Sequence, residues 1–589
     1  MARRSRSAYV RRVLTVAALA AAISGSAACS WPIPYRPGRE ERSVSAGSYD
    51  LAIQRNGRVN VVLTSGVVVF DNAFPMVWFE DDDKPRPLRI DGRRSARDHV
   101  NDPLGEGHGF TLYGKDVEWS IRTYPTQPFL AAQVSFVNSG RKPVRVRALS
   151  PWCVGEPNKG EVALSDGPGE AVVFAMGPGD APPRVVAAAD GVEASVLAAM
   201  NATGRRTLTA GPFPHDTGEP VIEIGPRTEA IGARHSLFRG VWRYDPPIEV
   251  PPGARLISGA LYLGVTEHDP SVGLDRYGYA AAAALSRTAP AATGDLSAEA
   301  LTAQGQATAS RLGAHAEPWP ADPESLRTLG RRWFLVPRFG PPRIAPLPAL
   351  GDDDPTPALR AAMTAAALLG SAVEFSSDAG APSPREAELL HQLRSADVRP
   401  ARVVDVLNPD GPQVWYLPLR TPIGEWHLIA LFNWDDQPQA VSASLTSLGI
   451  PADALFSAFG FWERTYYGVV QGRISASIPP GGVRLFGLRP LPGRAAPHLV
   501  ATDSHFTQGA LDVSRWDWDE TTGELHGAIR ARAGVPTSLW MLLPDNRRFA
   551  GFTCQTGSAL WLQDGHVLHV TIRPDADGET AWTLRTDAN

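Results

Sequence analysis

Short runs in which apolar and polar residues alternate dominate the chain from about residue 44 to residue 270. Two of them are "RVNVVLTSGVVVFD" (58–71) and "FLAAQVSFVNSGRKPVRVRAL" (129–149), in which turn residues such as Asn-Ser-Gly separate the runs. Alternation with a period of two buries one face of a strand and leaves the other face in water. Many such runs without a helical stretch predict a large antiparallel β-sandwich over residues 44–290.

The period changes at "DPSVGLDRYGYAAAAALSR" (269–287), which predicts a helix leaving that sandwich. Residues 291–399 then predict a linker and a short α/β section. Its helices are indicated by Pro at the first helical position after Asp322 and Thr356, and by the capping box Ser383…Glu386. The segment "SAVEF" (371–375) predicts a short strand between two of these helices.

The strand pattern returns in the last part of the chain. Segments such as "QVWYLPLR" and "EWHLIALFNW" predict a small β-sandwich over residues 400–492, and a further β-rich stretch predicts an additional β domain over residues 493–589. The predicted fold class is therefore mainly β, with a large sandwich, a short α/β piece and two small β domains.

The N-terminal residues 1–28 have the pattern of an export signal. Arginines precede the apolar run "VLTVAALAAAI" (13–23), and "SGSAA" leads to Cys29. The apolar run is too short to span a bilayer. Two alternatives stand, acylation of Cys29 after lipoprotein processing or plain cleavage nearby. Residues 29–43 are proline-rich and polar, which predicts a tether. The protein is therefore expected to be exported, and acylation of Cys29 would also attach it to the membrane.

Composition excludes some classes of partner and cofactor. The net charge is −5 with no basic block after the N-terminus, so no nucleic-acid partner is predicted. Cys153 and Cys554 remain after the signal, and they predict two buried free thiols rather than a disulfide. No cysteine–histidine spacing indicates zinc, so neither a metal site nor another cofactor is predicted.

Five segments, in this order, resemble the melibiase-type α-galactosidases of glycoside hydrolase families 27 and 36. In that family a β-supersandwich precedes a (β/α)8 barrel and a small C-terminal sandwich follows. The resemblance therefore implies a supersandwich, a barrel remnant and a C-terminal sandwich in this chain. The segments are "GLDRYGYAAA" (273–282), "ALLGSAVEFSSDAGAPSPREAELL" (367–390), "IALFNWDDQP" (429–438), "FGFWERTYYGVVQGRISASIPPGGVRLFGLRP" (459–490) and "ATDSHFTQGALDV" (501–513).

Most of the catalytic barrel predicted by this resemblance is missing. A full barrel needs roughly 200 residues, whereas residues 288–399 number 112. The family's nucleophile lies in a Lys-x-Asp motif on the fourth barrel strand, but no lysine follows Lys159. The acid/base, on the sixth strand, falls in the missing part. No catalytic residue is therefore predicted.

Four residues are candidates for carbohydrate binding. Trp516 and Trp518 share one face of a strand, where they form either an exposed stacking platform for sugar rings or part of a sandwich core. Glu374 and Asp378 lie at the end of the short strand, where Asp378 resembles a frame residue at the end of the family's last barrel strand.

Two other polar segments raise the same question. Asp352, Asp353 and Asp354 precede a helix, where negative charge is favourable for the helix itself. We expect them to be part of the frame rather than a binding site. Asp503, His505 and Gln508 have the chemistry to bind sugar hydroxyls or to form a polar turn.

Three functions remain open from the sequence. The first is an exported relative of α-galactosidases that binds carbohydrate or another cell-envelope glycan without catalysis. The second is an active α-glycosidase with a shortened or partner-completed site. The third is a structural envelope protein. Two carboxylates at ~5–5.5 Å would favour the second, because retaining hydrolysis needs that spacing.

Overall fold

The structure is a computed structural model. It describes residues 40–288 and 318–588 except for 83, 156–159, 161, 165–170, 178–181, 189–190, 202–205, 214–217, 227–235, 267–268, 336–343, 351–352, 377–381, 395–398, 492 and 494. About 55% of the described residues are in strands and 11% are in helices, and the described part contains four α-helices. The predicted mainly β fold with sandwich domains is confirmed.

The N-terminal region consists of strands that alternate between a buried and a solvent-facing side. In "VEWSIRT" the side chains of Val117, Trp119, Ile121 and Thr123 are buried and those between them are partly exposed, as the period of two requires. The strands are β1 (Glu40–Ser45), β2 (Tyr49–Gln54), β3 (Val59–Leu63), β4 (Val68–Phe79), β5 (Arg86–Pro87), β6 (Ile90–Asp102), β7 (Gly105–Gly114), β8 (Val117–Thr123), β9 (Phe129–Val137), β10 (Val144–Val154), β11 (Ala171–Met176), β12 (Arg184–Ala187), β13 (Val192–Ala194), β14 (Val196–Asn201), β15 (Thr207–Pro212), β16 (Glu219–Pro226), β17 (Ser236–Val250), β18 (Arg255–Ile257) and β19 (Leu261–Thr266).

These strands form two large antiparallel sheets. One has nine strands in the order β1-β2-β3-β4-β10-β17-β16-β13, with β5 beside β4. The other has ten strands in the order β12-β11-β14-β15-β19-β9-β8-β7-β6, with β18 beside β9. One apolar core contains buried residues of both sheets, among them Trp119, Trp152 and Trp242. Cys153 is buried, whereas Cys554 is only half-buried, so the prediction of two buried thiols is wrong for Cys554.

Four helices follow, and each begins with a proline that a capping side chain precedes. They are α1 (Pro270–Thr288), α2 (Pro323–Arg332), α3 (Pro357–Leu369) and α4 (Pro384–Gln392). Asp322 accepts a hydrogen bond from the Ser325 amide (2.9 Å), and Ser383 forms the predicted capping box with Glu386. Helix α3 ends at Gly370, whose φ of +78° favours glycine.

Short parallel contacts alternate with these helices. Trp319 pairs with Ile344, and Leu347 pairs with Phe375, both in parallel. The predicted strand over 371–375 is reduced to the single bridge at Phe375, so the prediction of a strand there is wrong, whereas the helices on either side of it are as predicted. One buried cluster joins Tyr262 of the N-terminal sandwich, Leu368 of α3 and Trp415 further along the chain. The α/β layer is thus packed between the flanking β regions.

The rest of the chain forms two smaller sandwiches. The first has a six-stranded sheet, β20-β21-β22-β27-β24-β25, and a two-stranded sheet, β23-β26. The second has two four-stranded sheets, β28-β31-β34-β33 and β29-β30-β35-β32. The strands are β20 (Arg402–Val403), β21 (Val414–Thr421), β22 (Gly424–Phe432), β23 (Gln439–Ser444), β24 (Leu455–Gly460), β25 (Thr465–Gln471), β26 (Arg473–Ile478), β27 (Val483–Pro490), β28 (His498–Thr502), β29 (Val513–Asp519), β30 (Glu524–Ala531), β31 (Thr537–Leu542), β32 (Arg547–Cys554), β33 (Ser558–Asp564), β34 (Val567–Arg573) and β35 (Gly578–Ala588). Within the described ranges, no helix is long and apolar enough to cross a membrane.

Candidate functional site

The two tryptophans of β29 are directed towards the core of the last sandwich. Trp516 donates from its Nε1 to the Pro497 carbonyl (3.2 Å) and meets the Trp582 ring edge-on at 5.5 Å. The guanidinium of Arg547 lies 5.2 Å from the centre of the Trp518 ring. Both rings are half-buried against the inner apolar cluster. Of the two alternatives for these residues, their position matches the core, and their predicted sugar contact stays a prediction.

The two predicted carboxylates lie apart from the tryptophans in sequence, and one of them is described. Glu374 is exposed, and its carbonyl accepts a hydrogen bond from the Leu347 amide (2.8 Å) beside the second parallel pair. Asp378 lies outside the described residues, as does Asp352. Asp353 and Asp354 are exposed ahead of α3. Glu374 therefore contributes its backbone to the frame, and no binding role can be read from its side chain.

A polar cleft lies where the α/β layer meets both small sandwiches. It has a volume of about 190 Å³ and is lined by residues of α3, α4, the turn between β24 and β25, and the turn after β28. We call it the arginine cleft. The side chains that define it are Asp354, Arg360, Arg385, Trp462, Arg464 and Asp503. Two of them, Asp354 and Asp503, come from polar segments that the sequence had singled out separately.

A chain of ion pairs runs along the cleft. Arg385 contacts Asp354 (Nη2–Oδ1 2.8 Å) and Glu388 (Nη1–Oε2 2.9 Å). Arg464 contacts the other oxygen of Glu388 (Nη2–Oε1 3.2 Å) and approaches Asp503 (Nη1–Oδ2 3.8 Å). Glu388 therefore links the two arginines. Guanidinium groups fixed in this way present rigid, planar sets of donors.

Trp462 forms an aromatic wall of the cleft. Its Nε1 donates to Thr364 Oγ1 (2.9 Å), which anchors the half-buried ring to α3. The guanidinium of Arg360 lies 5.6 Å from the centre of this ring, and its Nε donates to the Pro355 carbonyl (3.0 Å). The cleft thus combines an aromatic surface with fixed polar groups, the usual composition of a small-ligand site.

Arg464 is held in a backbone conformation that few residues adopt. Its φ is +48°, in the left-handed region, in the tight turn between β24 and β25. Such strain in a residue other than glycine is uncommon and is concentrated at functional sites. The turn residue Arg464 therefore brings its side chain to the cleft at a conformational cost.

Asp503 is the buried carboxylate of the cleft. Its Oδ1 accepts a hydrogen bond from the Ser538 amide (2.7 Å), which fixes it to β31. Burial raises the pKa of the Asp503 carboxyl above its ordinary value, and the hydrogen bond from Ser538 only partly offsets this effect. Asp503 therefore holds a proton more readily than an ordinary aspartate does.

The arrangement suits hydrogen bonding better than metal binding. Asp354, Glu388 and Asp503 each lie beside an arginine, so their negative charge is largely balanced. Within the described residues, no group of three or more His, Cys, Asp or Glu could hold a metal ion. Guanidinium and carboxylate groups next to an aromatic ring can instead bind vicinal hydroxyls or an anionic group.

Sequence reasoning missed four residues of this cleft. Arg360 lies in α3, Arg385 in α4, and Trp462 and Arg464 in one turn, and no local pattern connects these three elements. The one available signal was the combination of aromatic and charged residues in "FWER" (461–464), which the structure places in the turn between β24 and β25, because loops often carry functional residues.

The fold was compared with known proteins. The α-galactosidase from Lactobacillus brevis matches 76% of this chain and 98% of its own, at 7% identity and a TM-score of 0.44. A family 36 α-galactosidase from Geobacillus stearothermophilus matches 76% of this chain and 100% of its own, also at 7% identity and a TM-score of 0.44. A family 27 β-L-arabinopyranosidase from Geobacillus stearothermophilus matches 30% of this chain at 17% identity and a TM-score of 0.25.

These similarities are at the level of the fold. The chain spans 44% of the length of the arabinopyranosidase in one structure and 55% in another, about half of that enzyme. No protein-family model matches the sequence, and no curated protein matches it either. At these identities and TM-scores the comparison carries no information about activity.

Proposed function

We propose that this protein binds carbohydrate in the arginine cleft and does not hydrolyse it. The observation that carries the proposal is the convergence of Trp462, Arg385, Arg464 and Asp503 around one cavity of about 190 Å³. A sugar offers an apolar C–H face and a ring of hydroxyls. Aromatic rings pack on the former, and planar charged groups hydrogen-bond to the latter.

The absence of hydrolysis is proposed from the chemistry of the chain. No lysine follows Lys159, so the Lys-x-Asp motif of the α-galactosidases that the sequence resembles has no counterpart after the first sandwich. Arg385 and Arg464 contact the oxygens of Glu388 and hold it as an ion-pair partner. A carboxylate held between two arginines is a poor nucleophile, because whichever oxygen attacks must give up its arginine contact.

The cleft also supports a second candidate function, a residual α-glycosidase activity. Asp503 favours it, because a buried carboxyl with a raised pKa is what a general acid needs. In that case Asp503 would protonate the leaving group, and Glu388 would have to act as the nucleophile.

One titration series tests both candidates. Isothermal titration of the mature chain, from residue 29, with galacto-oligosaccharides should show binding. Arg464→Ala should weaken it at least about tenfold, which is ~1.4 kcal/mol. Arg243→Ala is the matched control, because the two side chains are 44% and 46% exposed and each contacts two carboxylates.

The same samples should release no product from an aryl α-galactoside. Turnover that Asp503→Asn abolishes would establish the second candidate in place of the first. Absence of binding to any glycan, or equal weakening by Arg464→Ala and Arg243→Ala, would contradict carbohydrate recognition in this cleft.

Export is part of the proposal, with Cys29 as the lipid-attachment residue or the neighbour of the cleavage site. These residues lie outside the described part of the chain. Labelled fatty acid should be incorporated into the wild-type chain and not into Cys29→Ala if the cysteine is acylated. An exported chain that incorporates no labelled fatty acid would indicate plain cleavage near Cys29 without acylation.

A further inference from the structure

Strand β33 is an apolar strand at the edge of the last sandwich. It is the terminal strand of the sheet β28-β31-β34-β33 and, among the described strands, it is hydrogen-bonded to β34 alone. Leu560, Trp561 and Leu562 lie in its middle and are 76%, 49% and 69% exposed. Three consecutive exposed apolar residues on a free strand edge are unusual in a soluble protein.

Leu560 and Leu562 continue a row of side chains across the sheet, and the neighbouring sandwich covers the other end of that row. Leu562 lies opposite His569, which lies opposite Trp540 in the next strand. The Trp540 ring stacks on His569 (4.5 Å) and packs against Phe459 of the neighbouring sandwich (4.6 Å). The neighbouring sandwich thus covers one end of this row of side chains and leaves Leu560 and Leu562 exposed.

Charge is missing where edge strands usually carry it. Strand β6, the edge of the ten-stranded sheet, contains Arg93, Arg94 and Arg97. Strand β33 has no charged residue from Ser558 to Gln563, and Asp564 is its last residue. Charges on an edge prevent pairing with another strand, because their burial is costly. No charged residue between Ser558 and Gln563 protects β33 in this way.

We propose that β33 pairs with β33 of a second copy of this chain. The sequence Leu560-Trp561-Leu562 reads the same in both directions, so a twofold antiparallel pair centred on it sets leucine beside leucine on both sides of the axis. Pairing centred on Trp561 places Leu560 beside Leu562 of the partner subunit, and the reverse, on one face of a continuous eight-stranded sheet. Asp564 then lies opposite Ser558 of the partner subunit, so no like charges face each other.

Main-chain hydrogen bonds and four adjacent leucines stabilise this pair. The interface is one strand wide, so the dimer should be weak and concentration-dependent rather than obligate. Because β33 belongs to the last sandwich and the arginine cleft does not include it, dimerisation is independent of the proposed glycan binding.

Sedimentation velocity over a wide concentration series tests the proposal. The wild-type mature chain should shift from monomer to dimer as concentration rises. Leu560→Lys and Leu562→Lys should each weaken dimerisation at least about tenfold, because each change places a charged side chain against a leucine of the partner subunit on both sides of the twofold axis. Ile257→Lys is the control, since Ile257 is 46% exposed on another strand and should leave dimerisation unchanged.

Cross-linking tests the register. In a chain that carries Cys554→Ser, Trp561→Cys should form an intermolecular disulfide on oxidation, because residue 561 faces its own copy. Gln563→Cys should not, because it faces residue 559 of the partner subunit. A wild-type chain that stays monomeric, a dimer insensitive to both lysine variants, or cross-linking at 563 but not at 561 would overturn the proposal.

Discussion

Two arginine–carboxylate networks of similar composition occur in this protein, and they differ in how they are built. On the N-terminal sandwich Arg243 contacts Glu193 (2.9 Å) and Glu223 (3.0 Å). In the arginine cleft Arg464 contacts Glu388 and approaches Asp503. Each network also places a guanidinium against a half-buried tryptophan, Arg239 on Trp78 in the first and Arg360 on Trp462 in the second.

The first network, which we call the sheet network, follows from the register of neighbouring strands. Glu193 lies opposite Glu223, which lies opposite Arg239. Its members therefore lie side by side on one face of one sheet. The second network joins helix α4, a hairpin turn and a loop of the last sandwich around a cavity. Ion pairs alone do not distinguish a binding site. A concave junction between separate parts of the chain does distinguish a binding site, because such a junction can surround a ligand.

The largest expected effect is on the sheet network, through Glu223→Gln. The Glu223 side chain is 10% exposed and bridges Arg239 and Arg243. The change leaves Arg239, which is 22% exposed, with a neutral partner, whereas Arg243 is 44% exposed and keeps its contact with Glu193. We expect the free energy of local opening to fall by about 2 kcal/mol. Hydrogen exchange of the β16 and β17 amides measures it.

This variant also separates the two networks. Glycan binding should stay unchanged in Glu223→Gln, because the sheet network has no part in the cleft. Weakened binding in this variant would show that the two regions are coupled and would remove the basis of the comparison.

The second effect is on binding, through Trp462→Ala. Removal of the ring takes away the aromatic wall and the support of Arg360, so glycan affinity should fall at least about tenfold, or ~1.4 kcal/mol. Isothermal titration measures this. Trp78→Ala is the matched control, since Trp78 carries an arginine in the sheet network. Equal loss in both variants would indicate a general effect of unfolding.

The two regions also differ in what the sequence could predict. The alternation in "VNVVL" (59–63) and the caps at Asp322 and Ser383 depend on neighbours in sequence, and the structure has them as predicted. Cys554 was placed wrongly, because alternation gives the side of a strand that a residue faces but not how completely its surroundings cover that side.

The arginine cleft could not be derived in the same way. Arg385 and Glu388 are three positions apart on α4, whereas Arg464 lies 79 positions after Arg385 and contacts Glu388 only because the hairpin turn meets this helix. Asp354 and Asp503 were noticed in the sequence as separate polar segments, and the most economical explanation for each was local. Trp516 and Trp518 attracted attention through their spacing, which a core strand and a stacking platform share.

A smaller effect is expected from Glu388→Gln. The Glu388 side chain is 34% exposed, so solvent offsets much of the lost attraction and stability should fall by only about 0.5–1 kcal/mol. The substitution leaves Arg385 and Arg464 without their shared carboxylate, and binding should shift in favour of glycans that carry a carboxylate. Titration with neutral and acidic oligosaccharides measures the ratio. An unchanged ratio would contradict a role for these arginines in ligand recognition.

The smallest effect is a pH dependence of stability that arises from Asp503. Burial raises the pKa of its carboxyl, so the folded state binds this proton more tightly than the unfolded state does. Stability from this group is therefore greatest at low pH and falls as pH rises from the ordinary value of 3.8 through the raised one. In Asp503→Asn the side-chain oxygen can still accept a hydrogen bond from the Ser538 amide, and the side chain does not titrate.

The melting temperature of the wild type relative to Asp503→Asn should consequently decline as pH rises through this window, by about 2 °C. Thermal unfolding of both chains from acidic to neutral pH measures it, with Asp517→Asn as the control because that side chain is 65% exposed. A difference that grew with pH would mean that Arg464, at 3.8 Å, stabilises the charged form more than burial disfavours it. The sheet network would then be the better analogue of the cleft, since its arginines do neutralise their carboxylates.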